Sequence, residues 1–180
     1  MTTSRTSGAA TMAIITTLTC GVTAAHADHR PRPARLTGPQ RSMLVEATQR
    51  FRDVRQAIAA GYVPTHDCVP GMGLHYSNPA FSEDLRVDPL RPENLLYVAG
   101  PHHMLRLAGV EYFQPDADGN PRTDRDRPTL LGHPFDGPMA GHPVAPGHPP
   151  MPVHYDLHVW LYQHNPAGEL ATENPDVTCR

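Results

Sequence analysis

The stretch HYDLHVWLY, residues 154–162, alternates between two kinds of side chain along an extended backbone. His154, Asp156, His158, Trp160 and Tyr162 share one face of such a strand, and mostly apolar residues occupy the other. The Val-Trp-Leu-Tyr run and the flanking prolines favour a strand over a helix. The stretch therefore predicts a sheet strand that carries two histidines and a carboxylate on one face.

Strand patterns also occur upstream of this stretch. Residues 62–78 are broken by prolines and glycines and predict a loop that delivers a short strand at 74–76. NLLYVA, residues 94–99, and HMLRLAGVEYF, residues 103–113, predict two more strands with a turn between them. These patterns together predict an antiparallel sheet.

One helix is predicted before the sheet. Thr37 and Gln40 have the spacing of a capping box, and Gly61 is suited to end the helix. An apolar stripe follows at helical spacing, formed by Leu44, Ala47, Phe51, Val54 and Ile58. The expected fold class is therefore α+β, with one N-terminal helix packed on an antiparallel sheet or partly closed barrel, and with long Pro/Gly-rich loops.

The start of the chain has the pattern of an export signal. A mostly apolar run with small residues ends at Ala25-His26-Ala27, which fits a cleavage site, so residues 1–27 are predicted to be a signal peptide. Residues 28–36 alternate Arg and Pro and predict an extended arm, and residues 37–180 are expected to form a single α+β domain. The sequence thus predicts a secreted or periplasmic protein without a membrane span.

Composition limits the classes of function. The 180-residue chain has a formal net charge of −3 and contains arginine but no lysine. It therefore excludes Schiff-base catalysis by lysine and the lysine of a phosphate-binding loop. The absence of a basic patch argues against a nucleic-acid partner, which leaves a small molecule or a metal ion.

Cysteine usage predicts one disulfide. Signal-peptide cleavage removes Cys20 and leaves Cys68 and Cys179, an even pair in an oxidising compartment. Once oxidised, neither sulfur is available as a nucleophile or a metal ligand.

Glu111 stands out in the strand predicted at 103–113. Strict alternation places it on the same face as Leu105, Leu107 and Phe113, where a buried carboxylate needs a cation, a metal or hydrogen-bond donors. The alternative is a bulge at Gly109 that changes the register and turns Glu111 towards water. His75 stands where a loop becomes a strand, a common position for a ligand or for a structural histidine.

Strand spacing limits how the histidines can act together. His154 and His158 lie roughly 13 Å apart on a straight strand, so one metal ion does not readily bind both. A metal site is therefore predicted from His154 or His158 together with His75 and Glu111, and a bulge would relax this limit. Asp156 is expected either to be a ligand or to orient an imidazole from behind. Nitrogen and oxygen donors favour zinc or another divalent first-row ion, and no catalytic residue is assigned.

A second hypothesis comes from a different class of protein. Tyr76, Tyr97, Tyr112 and Trp160 are candidates to line, with the histidines, an apolar pocket with polar handles. The protein would then be a non-catalytic secreted module that binds a small organic ligand.

The region 114–152 is rich in proline, glycine and histidine. Its DADGN segment, residues 116–120, resembles a calcium-binding loop, but Gly119 and Arg127 occupy the wrong positions for an EF-hand, so a solvated turn is predicted. Residues 132–150 are interpreted as a surface loop that lies over another part of the protein, with a lid as one hypothesis.

Several motifs together resemble a family of exported bacterial proteins of uncharacterised activity. They comprise MGLHYSNP at 72–79, LLY at 95–97, GVEYF at 109–113, HYDLHVWLY, and the late NPAG and NPDVTC. The order HY, LLY, GVEY and a late histidine pair is also similar to that of plant oil-body-associated proteins. The first resemblance implies export and assigns no activity.

Overall fold

The structure, a computed structural model, describes Met1, residues 34–141 and residues 150–179. Residues 2–33 are not described, so the predicted signal peptide, apart from Met1, and most of the predicted arm lie outside the described residues. The residues from Ala34 onwards belong to one compact unit that spans Arg32–Arg180.

The first helix begins as the sequence predicts. Helix α1 spans Gly38–Thr48, and Thr37 and Gln40 form the capping box. A 3-10 turn, Gln49–Arg52, continues it.

The predicted single helix is interrupted after this turn. The side chain of Asp53 accepts a hydrogen bond from Arg55 N and caps a separate helix, α2, at Val54–Ala59. The interruption changes the helical phase, so Ala57 is buried while Ile58 is 54% exposed. Ile58, predicted as the last residue of the apolar stripe, therefore faces solvent, and Ala57 is buried instead.

A third helix, α3, is short and spans Pro79–Asp84.

Six strands form one antiparallel sheet: β1 Val63–Val69, β2 Gly73–Ser77, β3 Asn94–Ala99, β4 Leu105–Pro115, β7 Asp136–Met139 and β8 His154–Val159. Their order across the sheet is β1-β2-β3-β4-β8-β7. A separate two-stranded ladder pairs β5, Thr129–Leu130, with β6, His133–Pro134. The α+β class is confirmed, and the sheet is open rather than closed into a barrel.

Two regions that were predicted as loops contain strands. β1 lies within the predicted loop 62–78, and β7 adds an edge strand from within the proline-rich region. Part of the segment 132–150, which was interpreted as a loop and a possible lid, therefore belongs to strands β6 and β7. Two histidines of this histidine-rich region, His142 and His148, lie outside the described residues.

The two faces of the sheet have different contents. The larger apolar core packs the α1–α2 region against one face, which contains Leu95, Tyr97, Val110, Tyr112, Tyr155, Leu157 and Val159. A smaller cluster on the other face joins Leu96, Ala108 and Trp160 to Val177 of the C-terminal segment. We call this second side the histidine face, because His75 and His158 also lie on it by register.

The predicted disulfide is present between Cys68 and Cys179, which are 111 residues apart in sequence. It ties the C-terminal segment to β1. Nearby, Gly71 N donates to Val177 O and Asn174 N donates to Gly71 O. Among the described residues, no helix is long and apolar enough to cross a membrane.

Candidate metal centre

Strand register places the candidate ligands on one face. Glu111 in β4 is the direct partner of His158 in β8. His75 in β2 pairs with Leu96 of β3, and Leu96 in turn pairs with Gly109 in β4. The sheet therefore presents His75, Glu111 and His158 from three different strands towards a common point.

A β-bulge sets the orientation of Glu111. The register between β3 and β4 shifts so that Leu96 pairs with Gly109 and Tyr97 pairs with Leu107, which leaves Ala108 as an extra residue. Leu107 consequently joins the helix-side core, while Glu111 lies on the histidine face. The bulge considered from the sequence is present, but it does not turn Glu111 towards water, since this residue is only 3% exposed.

Three ligand atoms converge at this position. His75 Nε2 lies 3.1 Å from Glu111 Oε2, and His158 Nε2 lies 3.8 Å from the same oxygen. All three ligand atoms lie within 4.8 Å of one another. Two ligands bound at about 2.1 Å to a tetrahedral zinc ion lie about 3.4 Å apart, so the observed spacing suits a shared ion.

Two of the three converging atoms, Glu111 Oε2 and His158 Nε2, lack hydrogen-bond partners. Glu111 Oε2 and both ring nitrogens of His158 are fully buried and unsatisfied in the structure. The contact between His75 and Glu111 is short enough for a hydrogen bond but does not have the geometry of one. Buried polar atoms are normally satisfied, so this group of unsatisfied atoms needs an explanation.

Asp156 lies on the far side of the His158 ring. Its Oδ1 atom is 3.4 Å from His158 Nδ1, and Asp156 is itself buried. A carboxylate behind a histidine in this way fixes the ring orientation and leaves the opposite nitrogen free to bind a metal.

The charges of the group depend on one another. Burial alone would raise the pKa of Glu111, but the charge of His158 and then the interaction with His75 outweigh it and lower the pKa. Burial opposes protonation of His158, yet Asp156 and Glu111 raise the pKa of this imidazole. The carboxylate is therefore held ionised, which is the form that binds a metal.

The structure does not bring His154 into this group. His154 is the first residue of β8 and pairs with Pro115, whereas His158 pairs with Glu111. Its Nδ1 atom donates to Pro152 O at 2.9 Å, and its ring packs against Phe113 with centroids 4.9 Å apart. In the described part of the chain, the converging set is therefore His75, Glu111 and His158 alone.

The aromatic residues of the alternative pocket hypothesis are not assembled into a pocket either. Tyr76, Tyr97 and Tyr112 belong to the helix-side core, whereas Trp160 lies on the histidine face. The hydroxyls of Tyr97 and Tyr112 donate to backbone carbonyls, and Trp160 Nε1 donates to Ala171 O. A cavity of about 470 Å³ adjoins Trp160 but is lined by none of the three tyrosines.

Sequence reasoning missed one polar neighbour of the centre. Asn94 pairs with Glu111 across β3 and β4, is 6% exposed, and accepts a hydrogen bond from the Ser77 hydroxyl. The alternation within NLLYVA places Asn94 on the same face as Leu96, and that pattern was the signal that could have identified it.

Comparisons with family models, with curated proteins and with solved structures found no match to this chain.

Proposed function

We propose that this protein is an exported metal-binding protein whose divalent ion is held by His75, Glu111 and His158. The observation that carries the proposal is the convergence of three ligand atoms, two of which are fully buried without hydrogen-bond partners. An ion at this point would satisfy Glu111 Oε2 and His158 Nε2 together.

The donor set favours zinc among the divalent ions. Two imidazole nitrogens and one carboxylate oxygen suit zinc and other first-row metals, whereas calcium and magnesium prefer oxygen alone. Three protein ligands leave at least one tetrahedral position open, which a water molecule or the oxygen of a small ligand would fill. His75, with a side chain that is 13% exposed, is the ligand nearest to solvent.

Export is part of the proposal. The leader pattern at residues 1–27 motivates it, and the Cys68–Cys179 disulfide supports it because such bonds persist in oxidising compartments.

Elemental analysis of the purified full-length protein tests the proposal. We expect about one zinc or similar ion per chain, and less than about one-tenth of that in His158→Ala, which removes a ligand, and in Glu111→Gln, which replaces the anionic ligand with a weakly binding neutral amide. His164→Ala changes an exposed histidine outside the group and serves as the matched control.

A negative result needs a folded protein. If wild-type protein with a native circular-dichroism spectrum contains no metal and binds neither zinc nor cobalt in titration, the proposal is wrong. Equal metal loss in His164→Ala would also contradict it, since the metal would then be bound elsewhere.

A further inference from the structure

The loop after β4 gathers a second set of carboxylates that the metal centre does not use. We call residues 116–126, DADGNPRTDRD, the acidic loop. Asp118 N donates to Asp116 Oδ1 at 3.1 Å, and Ala117 N donates to Asp126 Oδ2 at 2.8 Å. These bonds hold the carboxylates of Asp116 and Asp126 at the start of the loop.

Asp116 differs from the solvated turn that the sequence predicts. Ala117–Gly119 are exposed, but Asp116 is only 7% exposed, and its Oδ2 atom is fully buried without a hydrogen-bond partner. A buried carboxylate oxygen without a donor is costly unless a cation meets it.

The surroundings of Asp116 are negative. Burial and then the charges of Asp118 and Asp126 raise the pKa of Asp116, against the hydrogen bond from Asp118 N. Among the ion pairs of the described residues, none involves these three carboxylates; the nearby Arg127 pairs with Asp124 instead. Asp116 therefore lies near two other carboxylates and has no ion-pair partner in the described part of the chain.

We propose that the acidic loop binds a calcium ion through oxygen atoms of Asp116, Asp118, Asn120 and Asp126. Every donor in this set is oxygen, which suits calcium and not zinc. The site is separate from the centre at His75, Glu111 and His158 and does not depend on it.

The first three donors alternate as in a calcium loop, but the fourth does not follow the EF-hand. Asp116, Asp118 and Asn120 have the spacing of the first three EF-hand ligands, whereas Arg127 stands at the position of the closing glutamate. Asp126 is the remaining carboxylate, and its hydrogen bond from Ala117 N holds it beside the start of the loop. No three carboxylates converge here as tightly as the ligands of the metal centre do. Calcium accepts more widely spaced ligands than zinc does, because two oxygens on opposite sides of the ion lie about 5 Å apart. Carbonyl oxygens or water complete its coordination shell.

Calcium at this position would stabilise the beginning of β8. Asp116 N donates to Val153 O at 2.9 Å, and the Tyr155 hydroxyl donates to Asp126 Oδ1 at 2.8 Å. The loop and the strand are thus joined at Asp116 and at Asp126, which are both proposed ligands.

Terbium luminescence and calcium-dependent melting of the full-length protein test the proposal. Terbium replaces calcium, and Tyr155 beside Asp126 is placed to sensitise its emission when the tyrosine is excited. We expect calcium to displace terbium and to raise Tm, with a Kd of about 10⁻⁴ to 10⁻³ M, as in extracellular calcium modules. Asp118→Asn and Asp116→Asn should each weaken calcium binding by about ten-fold or more.

Matched controls separate this site from the metal centre. Asp124→Asn, in the same loop but outside the cluster, should bind calcium like the wild type, and so should Glu111→Gln. No calcium-dependent change in Tm or terbium emission up to about 10 mM calcium, well above that Kd range, would overturn the proposal. Equal calcium affinity in wild type and in a folded Asp118→Asn variant would overturn it as well.

Discussion

Asp156 Oδ1 lies 3.4 Å from Nδ1 of His158, while Nε2 of the same ring faces Glu111 Oε2 at 3.8 Å. One buried imidazole thus stands between two carboxylates that come from β8 and β4. The first carboxylate lies behind the ring, and the second lies where a shared ion would bind.

We therefore expect Asp156→Asn to weaken zinc binding by about 10- to 100-fold, the usual effect of losing a carboxylate behind a metal-binding histidine. The affinity is measured by competition with a chromophoric chelator. Asp176→Asn changes an exposed aspartate and should leave the affinity unchanged. Unaltered binding in Asp156→Asn would show that Asp156 does not position His158.

Gly109 determines how closely β4 approaches β8. A Cβ atom at this position would lie 2.5 Å from Val159 O and 3.3 Å from Trp160 Cα, both of them backbone atoms that follow His158. We expect Gly109→Ala to displace β8, to lower the free energy of unfolding by about 1–3 kcal/mol and to weaken metal binding.

Chemical denaturation and a zinc titration check this expectation for Gly109→Ala. Gly38→Ala is the control, because nothing lies within 4 Å of a Cβ added there. If Gly109→Ala binds zinc as tightly as the wild type does, the spacing between these strands does not set the geometry of the site.

Local signals in the sequence predicted much of the fold. The capping box at Thr37 and Gln40 and the strand at Asn94–Ala99 are where the patterns place them. The helix break at Asp53 was missed because an apolar stripe does not report a polar side chain that caps a new helix. β1 was missed because Pro64 reads as a strand breaker, although an edge strand tolerates it.

Strand alternation predicted which residues of the candidate site share a face of the sheet. A carboxylate among leucines identified Glu111, and alternation put His154 and His158 on one face. Strand spacing showed that one ion does not readily bind both histidines, but only the register shows which of them is involved: His158 pairs with Glu111, and His154 pairs with Pro115. Because side chains alternate between the two faces of a strand, Tyr76 lies on the opposite face from its neighbour His75. Tyr76 therefore packs against the helix-side core.

The Cys68–Cys179 disulfide closes a loop over a sequence separation of 111 residues. For a loop of about this size the chain-entropy model gives about 4.7 kcal/mol, and measured losses are typically 2–5 kcal/mol. We expect the double variant Cys68→Ser/Cys179→Ser to lose about 2–5 kcal/mol of unfolding free energy, and amide exchange at Val177 to become faster. Reductant should destabilise the wild type but not the double variant; equal effects on both would contradict this account.

Glu93, which is not one of the proposed metal ligands, provides a pH dependence of stability. It is 2% exposed, and its Oε2 atom accepts a hydrogen bond from Phe113 N at 3.1 Å. Burial, opposed by that hydrogen bond and assisted by the charge of Glu111, raises the pKa of Glu93 to about 7. The folded state therefore holds this proton more tightly than the unfolded chain does, and stability falls as pH rises.

The pH range of this effect is set by two pKa values of the Glu93 carboxyl. These are the ordinary value of 4.5 in the unfolded chain and about 7 in the folded protein. Its contribution is complete below the lower value and is lost as pH rises through the upper one, a change of about 3 kcal/mol. Glu93→Gln keeps the acceptor for Phe113 N and cannot ionise. We therefore expect the variant to gain stability relative to the wild type across this window in urea denaturation series. Glu83→Gln, at an exposed position, should follow the wild type at every pH; parallel curves for Glu93→Gln and the wild type would contradict the assignment.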